Sequence, residues 1–512
     1  MRSFRILDCT LRDGGYYTNW DFDSCVVNEY IRTTNKLPID YIEIGYRNNP
    51  AQEYLGKFGY TPVSVIRELR KSSHKKIAVM LNEKSTKPED LENLIAPIEG
   101  LADMIRLAVD PNNFDRATML AKEIKKMGFK VGFNTMYMSK WKSDYAGFLD
   151  RIGSVNGIVD VFCMVDSFGG ITPQEVEELA GTIKSRTTCK VGFHGHNNLQ
   201  LGLINTLTAI GCGVDVVDAT ALGMGRGAGN LNMELLLTYL KNMGLEVDFN
   251  ILGDYVQTFQ PLWEKYRWGT NLPYMIAGAN RIPQKEVMEW VTNRAYSFNS
   301  IVRALDNRRN HVADNARYPL LHNEDASDVI IIGGGNTCIE HVEAIKQYMR
   351  QNPDMHIIFA TARHAANYND VDNKKYYILV GNEAKRLQNN VPENMFKGEC
   401  VLAPYPRLMG TDVPNYAEDL TFELSAITFT SFYLDSCTTV ALQTALALKA
   451  RKVLVVGYDG YKGEVLSDKE MELSRENRTL FEDFMKNTGI KLISLTPSNY
   501  KALEVKSIYQ YL

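Results

Sequence analysis

The sequence predicts a protein of the α/β class in two parts: a closed (β/α)8 TIM barrel with a helical extension, then a Rossmann-like α/β domain. The first observation is that eight strand-like apolar runs alternate with helix-length stretches over roughly the first 225 of the 512 residues. The second is that a new strand–turn–helix pattern begins at Val329, where an apolar run enters three glycines. A chain of 512 residues also exceeds what one hydrophobic core usually supports.

The barrel is predicted from runs that are often rich in Val and Ile, as parallel strands covered on both faces should be. The eight predicted strands are Phe4–Thr10, Tyr41–Tyr46, Lys76–Asn82, Met104–Asp110, Lys130–Tyr137, Val159–Ser167, Cys189–Asn197 and Val214–Gly223. Eight β/α units in so short a segment favour a closed barrel. A doubly wound open sheet is the alternative.

A region predicted to be a helical extension and linker separates the two α/β patterns. It contains three tryptophans, and Leu272-Pro273 interrupts its helical pattern. Two polar stretches, Asp306–Asn315 and His322–Ser327, indicate the linker. The predicted boundaries are therefore 1–245 for the catalytic barrel, 246–327 for the extension and linker, and 328–512 for the second α/β domain.

The second α/β domain is predicted from a further series of apolar runs. Its predicted strands are Val329–Ile332, His356–Thr361, Tyr376–Gly381, Lys452–Gly457 and Lys491–Leu495. The Gly333-Gly334-Gly335 turn that follows the first strand suggests a cradle for a phosphate group. The third spaced glycine of a dinucleotide-binding fingerprint is absent, so this signal is weak.

Composition and charge narrow the class of protein. The formal net charge of −4 provides no basic excess, so we expect no nucleic-acid partner. No apolar run approaches the ~20 residues that span a bilayer, so we expect no membrane span. Eight cysteines without a Cys-x-x-Cys pair, and an N-terminus without a signal peptide, favour a cytoplasmic location. We also expect a homo-oligomer.

Three motifs follow predicted strands at the end of the barrel where active sites lie. They are Thr10–Tyr16 at the end of strand one, His194–Asn197 at the end of strand seven, and the glycine-rich Gly223–Asn230 after strand eight. Alternate residues of a strand point to one face, so both histidines of His-Gly-His should enter the barrel mouth. Neutral imidazoles are good ligands for a divalent metal, and Asp13 can add a carboxylate.

These motifs resemble those of the DRE-TIM metallolyases, which include 3-hydroxy-3-methylglutaryl-CoA lyase, isopropylmalate synthase and 4-hydroxy-2-oxovalerate aldolase. The Arg12-Asp13 pair, His194-Gly195-His196 and the glycine-rich loop ending in Asn230 stand in the family's order. Asp166–Gly169 after strand six is also similar. The resemblance covers about residues 1–300, and the segment Pro273–Gly278 looks most like the aldolase branch.

The resemblance implies roles for the matched residues. Asp13, His194 and His196 would hold Mn²⁺ or Mg²⁺, with Asn230 as a further ligand. The metal would bind a 2-oxo acid such as pyruvate and stabilise its enolate. Arg12 would donate hydrogen bonds to the developing oxyanion.

Tyr16 departs from the family pattern. The aldolases place a histidine three residues after the metal-binding aspartate, and this histidine takes the proton from the substrate hydroxyl. Here that position is Tyr16. Tyr16 is either the acid/base residue of this enzyme or a binding residue beside another base, and the sequence leaves both open.

Other polar residues at or near predicted strand ends are candidates for binding the substrate. They are Glu43, Arg47, Arg106, Asn134 and Ser167. For Glu43 and Arg106, an ion pair inside the barrel is an equally good interpretation.

The C-terminal segments Thr438–Ala450 and Val453–Tyr461 look like parts of bacterial sialyltransferase-like and flagellin-modification domains. This resemblance implies that the second domain binds a nucleotide-activated sugar. The alternative is a Rossmann-like domain that supports oligomerisation or a partner.

Taken together, the sequence predicts a carbon–carbon lyase, an aldolase that cleaves or forms a 4-hydroxy-2-oxo acid through a metal-stabilised enolate. One alternative is a Claisen-type synthase that joins an acyl-CoA to a 2-oxo acid. The other is a bifunctional protein of surface-glycan biosynthesis, with a sugar-nucleotide site in the C-terminal domain.

Overall fold

A computed structural model of the chain describes residues 4–52, 54–293, 298–311, 316–322, 328–407, 412–461 and 468–512. The chain forms two compact units, Met1–Met288 and Glu289–Leu512. The boundaries predicted at residues 245 and 327 stay predictions, and parts of the two polar stretches, 312–315 and 323–327, lie outside the described residues. Within the described residues, no helix is both long and apolar enough to cross a membrane.

The first unit contains eight parallel strands that close into a barrel, which confirms the predicted fold class. The strands are β1 (Arg5–Asp8), β2 (Tyr41–Tyr46), β3 (Lys76–Asn82), β4 (Met104–Val109), β5 (Lys130–Thr135), β6 (Val161–Asp166), β7 (Lys190–Gly195) and β8 (Val216–Ala219). Strand β1 pairs with both β2 and β8, and β7 pairs with β8. The ends of β1, β7 and β8 are therefore neighbours.

The helices of this unit surround the barrel. They are α1 (Thr10–Asp13), α2 (Gly15–Thr18), α3 (Ser24–Lys36), α4 (Lys57–Tyr60), α5 (Val63–Ser72), α6 (Leu91–Leu94), α7 (Phe114–Lys126), α8 (Phe148–Arg151), α9 (Pro173–Arg186), α10 (Gly202–Gly211), α11 (Met233–Asn242), α12 (Phe249–Tyr266) and α13 (Leu272–Ala279), with α14 (Gln284–Asn293) running past the unit boundary.

Alternation along the strands decides which side chains enter the barrel. In β4, Ile105 and Leu107 join the outer core between strands and helices, whereas Met104 belongs to a small cluster with residues of the other strands. Arg106 lies on the inner face with Met104, because side chains two residues apart point the same way. Buried charges can therefore meet inside the barrel even though the strands are apolar overall.

The second unit is built on one parallel sheet with the order β13-β12-β11-β10-β9-β14-β15-β16. Its strands are β9 (Asp328–Ile332), β10 (His356–Phe359), β11 (Lys375–Leu379), β12 (Glu399–Leu402), β13 (Thr421–Glu423), β14 (Lys452–Val456), β15 (Leu492–Ser494) and β16 (Glu504–Val505). Its helices are α15 (Phe298–Arg309), α16 (Thr337–Glu340), α17 (Val342–Gln351), α18 (Glu383–Asn390), α19 (Cys437–Ala447) and α20 (Asp468–Thr488). Alternate residues of β9 enter separate apolar cores, as in a doubly wound sheet covered on both faces.

Candidate active site

The candidate metal ligands meet at the carboxyl end of the barrel because three neighbouring strands end there. Asp13 lies in α1, the single turn that follows β1, and His194 lies on β7. The glycine-rich loop after β8 folds back onto the end of β7, where Leu231 N donates to Gly195 O at 3.1 Å. An isolated bridge pairs His196 with Asn230, which brings the end of this loop to the two histidines.

The distances among these side chains are short. His194 Nε2 lies 3.7 Å from Asp13 Oδ2, and the two imidazole centroids are 5.1 Å apart. Asn230 Nδ2 donates to Asp13 Oδ2 at 2.9 Å. The structure therefore brings together all four predicted metal ligands.

The partners of both imidazoles leave Nε2 available as a ligand atom. His196 Nδ1 lies 2.7 Å from the carbonyl oxygen of Asp166, so this nitrogen carries the proton and donates. His194 Nδ1 lies 3.0 Å from Asp218 Oδ2, an arrangement that orients a metal-binding histidine. Burial and the neighbouring His194 lower the pKa of His196 to about 3, so this ring is neutral.

The remaining ligand atoms also suit a divalent cation. Burial raises the pKa of Asp13, but the charge of Arg12, with further help from the neighbouring histidines and the hydrogen bond from Asn230, outweighs this effect, so the pKa of this carboxyl lies below its ordinary value. Asn230 Oδ1 is buried and has no hydrogen-bond partner among the described residues. Two imidazole nitrogens, a carboxylate and an amide oxygen form a donor set that fits a divalent cation.

A different set of buried residues, Cys9, His194 and Asp218, has ligand atoms that all lie within 4.8 Å of one another. Burial and the charge of Asp13 hold the pKa of the Cys9 thiol well above its ordinary value, so it stays protonated and is a poor ligand. Asp218 already accepts a hydrogen bond from Arg106 Nη2 at 2.7 Å. We therefore favour Asp13, His194, His196 and Asn230 as the metal ligands, with Asp218 as the hydrogen-bond partner that orients His194.

A chain of buried charges runs beneath this cluster. Arg12 contacts Asp13, and its Nε donates to Glu43 Oε2 at 2.8 Å. Arg106 Nη1 lies 3.3 Å from the same Glu43 oxygen. Glu43 and Arg106 thus form the internal ion pair that the sequence left as an alternative to substrate binding, and the pair links Arg12 to Asp218.

Arg47 is not brought to the site, contrary to the sequence-based expectation. Its guanidinium donates to backbone carbonyls, at 2.6 Å to Leu94 and 3.0 Å to Thr61. Its role is therefore to join loops. Ser167 Oγ accepts from Tyr137 N at 2.8 Å, whereas the buried Asn134 Oδ1 has no partner among the described residues.

Tyr16 lies in α2 among aromatic side chains. Its hydroxyl is 3.1 Å from that of Tyr46, the last residue of β2, and Trp20 packs edge-on against its ring at 5.0 Å. The guanidinium of Arg226 lies 3.9 Å from the centroid of the Tyr16 ring. The sequence did not predict a role for Tyr46, Arg226 or Asp218. An acidic residue within the apolar run of β8 was the available signal for Asp218.

The second unit has its own candidate site, where the sheet reverses its order between β9 and β14. The glycine turn predicted as a phosphate cradle follows β9, but the amides of Gly333 and Gly335 already donate to backbone carbonyls. Gly335 N donates to Gly457 O at 2.8 Å, and Thr337 N donates to Asp459 Oδ2 at 3.1 Å. The Asp459 carboxylate, which accepts from Thr337 N just after this turn, argues against a phosphate on the turn itself.

Comparison with known proteins gives the family. A model of the HMGL-like family matches residues 101–255. The 4-hydroxy-2-oxovalerate aldolase of Roseiflexus castenholzii is 30% identical over 262 residues, which are 49% of this chain and 75% of that protein. The oxaloacetate decarboxylase of Mycobacterium tuberculosis is 26% identical over 248 residues, which are 47% of this chain and 70% of that protein.

A solved structure supports the same grouping. The crystal structure of the N-terminal domain of a candidate aldolase from Bacteroides vulgatus is 66% identical, with a TM-score of 0.56. The similarity covers 59% of this chain and 100% of that domain. The present chain therefore belongs to the HMGL-like family of carbon–carbon lyases.

Proposed function

We propose that this protein is a divalent-metal-dependent aldolase that forms or cleaves the C3–C4 bond of a 4-hydroxy-2-oxo acid, with pyruvate or a relative as the donor. The observation that carries the proposal is the convergence of Asp13, His194 and His196. The Nδ1 atom of each histidine already has a protein partner, which leaves Nε2 for a metal. The names of the aldolase relatives support the same reaction.

The metal site is proposed to consist of Asp13, His194, His196 and Asn230. Mn²⁺ or Mg²⁺ held there would act as a Lewis acid toward the carbonyl and carboxylate of the 2-oxo acid. Asp218 fixes the His194 ring, and the Asp166 carbonyl fixes the His196 ring.

Arg12 is proposed to stabilise the negative charge that develops on the carbonyl oxygen of the donor. Its guanidinium cannot lose its proton at working pH. The hydrogen bond to Glu43 and the contact with Asp13 hold the group beside the metal ligands before substrate arrives. Donors fixed in advance where charge develops are an effective way to lower a barrier.

Tyr16 is proposed to exchange a proton with the hydroxyl on C4. In cleavage, this hydroxyl must lose its proton as the C3–C4 bond breaks, and in condensation the aldehyde oxygen must gain one. The Tyr46 hydroxyl lies 3.1 Å from the Tyr16 hydroxyl, and either group can be the donor of the hydrogen bond between them. The buried Asn134 Oδ1 is proposed as an acceptor for a substrate hydroxyl.

The first test combines metal content with the exchange of pyruvate methyl protons for solvent deuterium. We expect about one Mn²⁺ or Mg²⁺ per chain and metal-dependent exchange in the wild type. We expect both to be lost in the His194→Ala/His196→Ala double variant. His74→Ala, which removes an exposed histidine elsewhere, serves as the control. Metal binding without exchange of any 2-oxo acid would contradict the proposal, and release of free CoA from an acyl-CoA would point to the Claisen alternative.

A second proposal concerns the C-terminal unit, which we propose binds a nucleotide-activated sugar. What supports it is the switch point of the sheet beside the Gly333–Gly335 turn, a usual place for a ligand in a doubly wound sheet; the phosphates of the ligand would lie away from Asp459, whose carboxylate is held by Thr337. Arg363 lies beside the same turn, with Nη1 3.2 Å from Gly334 O. Calorimetry with CMP- and UDP-sugars tests the proposal, comparing wild type with Asp459→Ala. Absence of binding to all of them in the wild type would remove it.

A further inference from the structure

The loop after β8 carries a cation that lacks a protein counter-ion. Arg226 is partly buried in the Gly223–Asn230 loop, and its guanidinium lies 3.9 Å from the centroid of the Tyr16 ring. Among the residues that the structure describes, no carboxylate pairs with this guanidinium and no acceptor receives a hydrogen bond from it. A guanidinium carries five N–H donors and a permanent charge, so a partly buried one without an anion calls for a ligand.

The loop holds Arg226 in place through its backbone. Gly229 N donates to Arg226 O at 3.1 Å, and Asn230 N donates to Gly223 O at 2.9 Å. From outside the loop, Tyr17 Oη donates to Gly227 O at 3.0 Å. The backbone of Arg226 is therefore fixed relative to Asn230 and the other proposed metal ligands.

The neighbouring groups of the site cannot neutralise this charge. Asp13 is the acidic residue among the proposed metal ligands, but it already contacts Arg12 and accepts from Asn230 Nδ2 at 2.9 Å. The ring against the guanidinium is that of Tyr16, which itself contacts Tyr46 and Trp20. The face of an aromatic ring attracts a cation but leaves the N–H groups at its edge without acceptors.

We propose that Arg226 binds a carboxylate or phosphate at the far end of the aldehyde substrate and thereby determines which 4-hydroxy-2-oxo acid the enzyme uses. This inference rests on the proposed aldolase function. In condensation, C3 of the donor loses a proton and bonds to the aldehyde carbon, while the aldehyde oxygen gains a proton. No oxidant or reductant is needed. Tyr16 is the proposed proton donor to that oxygen. The Arg226 guanidinium lies against the Tyr16 ring, so it is placed to contact the far end of the same aldehyde.

The test compares aldehydes that differ in terminal charge, with pyruvate as the donor. The pairs are 4-oxobutanoate against butanal, and glycolaldehyde phosphate against propanal. We expect the wild type to favour at least one anionic aldehyde by about 10- to 100-fold in kcat/KM, the range expected for hydrogen bonds to a charged group. Whether the carboxylate or the phosphate is preferred identifies the anion. Calorimetric binding of the same compounds gives a readout that does not depend on turnover.

The variants separate recognition from folding. In Arg226→Met the preference should disappear from both readouts, and Arg226→Lys should restore part of it. Arg267→Met is the matched control, because its guanidinium stacks on Trp263 at 5.1 Å on the exposed surface. Equal binding and turnover of charged and neutral aldehydes by the wild type would overturn the inference even if no variant folds. Absence of pyruvate proton exchange in the wild type is a separate result, and it would count against the proposed aldolase function.

Discussion

Asp218 shows how one carboxylate serves two neighbours inside the barrel. It accepts from Arg106 at 2.7 Å and lies 3.0 Å from His194 Nδ1. Burial raises its pKa, but Arg106 and His194 outweigh this effect and lower the pKa of Asp218 to about 2. The group is therefore an anion at working pH, and it holds His194 with Nε2 directed at Asp13.

We predict that Asp218→Asn weakens Mn²⁺ binding by about 10- to 100-fold. A neutral amide orients the His194 ring less firmly than a carboxylate does, and it raises the basicity of the imidazole less. Calorimetric titration of the metal-free protein measures the affinity. Asp160→Asn is the control, since Asp160 caps Val131 N and binds Lys125 instead. Unchanged affinity in Asp218→Asn would show that His194 needs no such support.

We also predict that His196 stays neutral from pH 5 to pH 8 in the metal-free protein. Burial and the adjacent His194 place its pKa at about 3, so the ring would gain a proton only in much more acidic solution. Ring ¹⁵N shifts, assigned with His196→Asn, report the protonation state. A titration step near the ordinary histidine pKa of about 6.5 would contradict this prediction.

At the scale of elements, the glycine-rich loop depends on a conformation that other residues avoid. Gly229 has a φ of +76°, and a Cβ atom there would lie 2.2 Å from the carbonyl oxygen of Gly223. Both the left-handed backbone and the close approach therefore require glycine. The loop ends in Asn230, so its shape determines where that side chain meets Asp13.

We predict that Gly229→Ala lowers the free energy of unfolding by about 2 kcal/mol or more and weakens metal binding as well. Urea denaturation and metal titration measure the two effects. Gly181→Ala in α9 is the matched control, because its Cβ meets nothing within 4 Å and alanine favours a helix by about 0.5–1 kcal/mol. Equal stability of the two variants would mean that the loop relaxes without cost.

Element prediction from the sequence worked where strands are long and apolar. All eight barrel strands lie within the predicted runs, but β8 ends at Ala219, whereas the predicted run extends to Gly223. Thr220–Gly223 turns away because Thr220 bridges to Asn232 of the returning loop. In the second unit, β12, β13 and β16 were not predicted. They have four, three and two residues and are defined by pairing with neighbouring strands, whereas the equally short β10 and β15 lie within longer predicted runs.

The site was predictable where motifs were contiguous and not where contacts are distant. Asp13, His194 and His196 follow from their places at strand ends. The pairing of Arg106 with Asp218 joins β4 to β8, and no local pattern tells which buried charges will meet across a barrel. The partners of Arg47 were not predictable for the same reason, because they are backbone carbonyls of loops distant in the chain.

At the scale of the whole molecule, the two compact units suggest that the barrel folds alone. We predict that a chain ending at Asn293, after α14, is soluble, binds metal and exchanges pyruvate protons at the rate of the full chain. The related N-terminal domain from Bacteroides vulgatus was crystallised as a separate domain. Thermal denaturation and the exchange assay check the prediction. An unfolded fragment beside an active full chain would show that the barrel needs the second unit.

The buried charges of the barrel set an electrical balance for its ligands. The guanidinium groups of Arg12 and Arg106 face the carboxylates of Asp13, Glu43 and Asp218, and together these five side chains carry one net negative charge. A divalent cation turns this total to plus one, and a monoanionic 2-oxo acid brings it to zero. On the proposed function, the barrel core would therefore suit a donor with a single carboxylate, and the charge of Arg226 would be left for a second anion. Rates with a doubly charged aldol should consequently fall with rising salt more steeply than rates with a singly charged one.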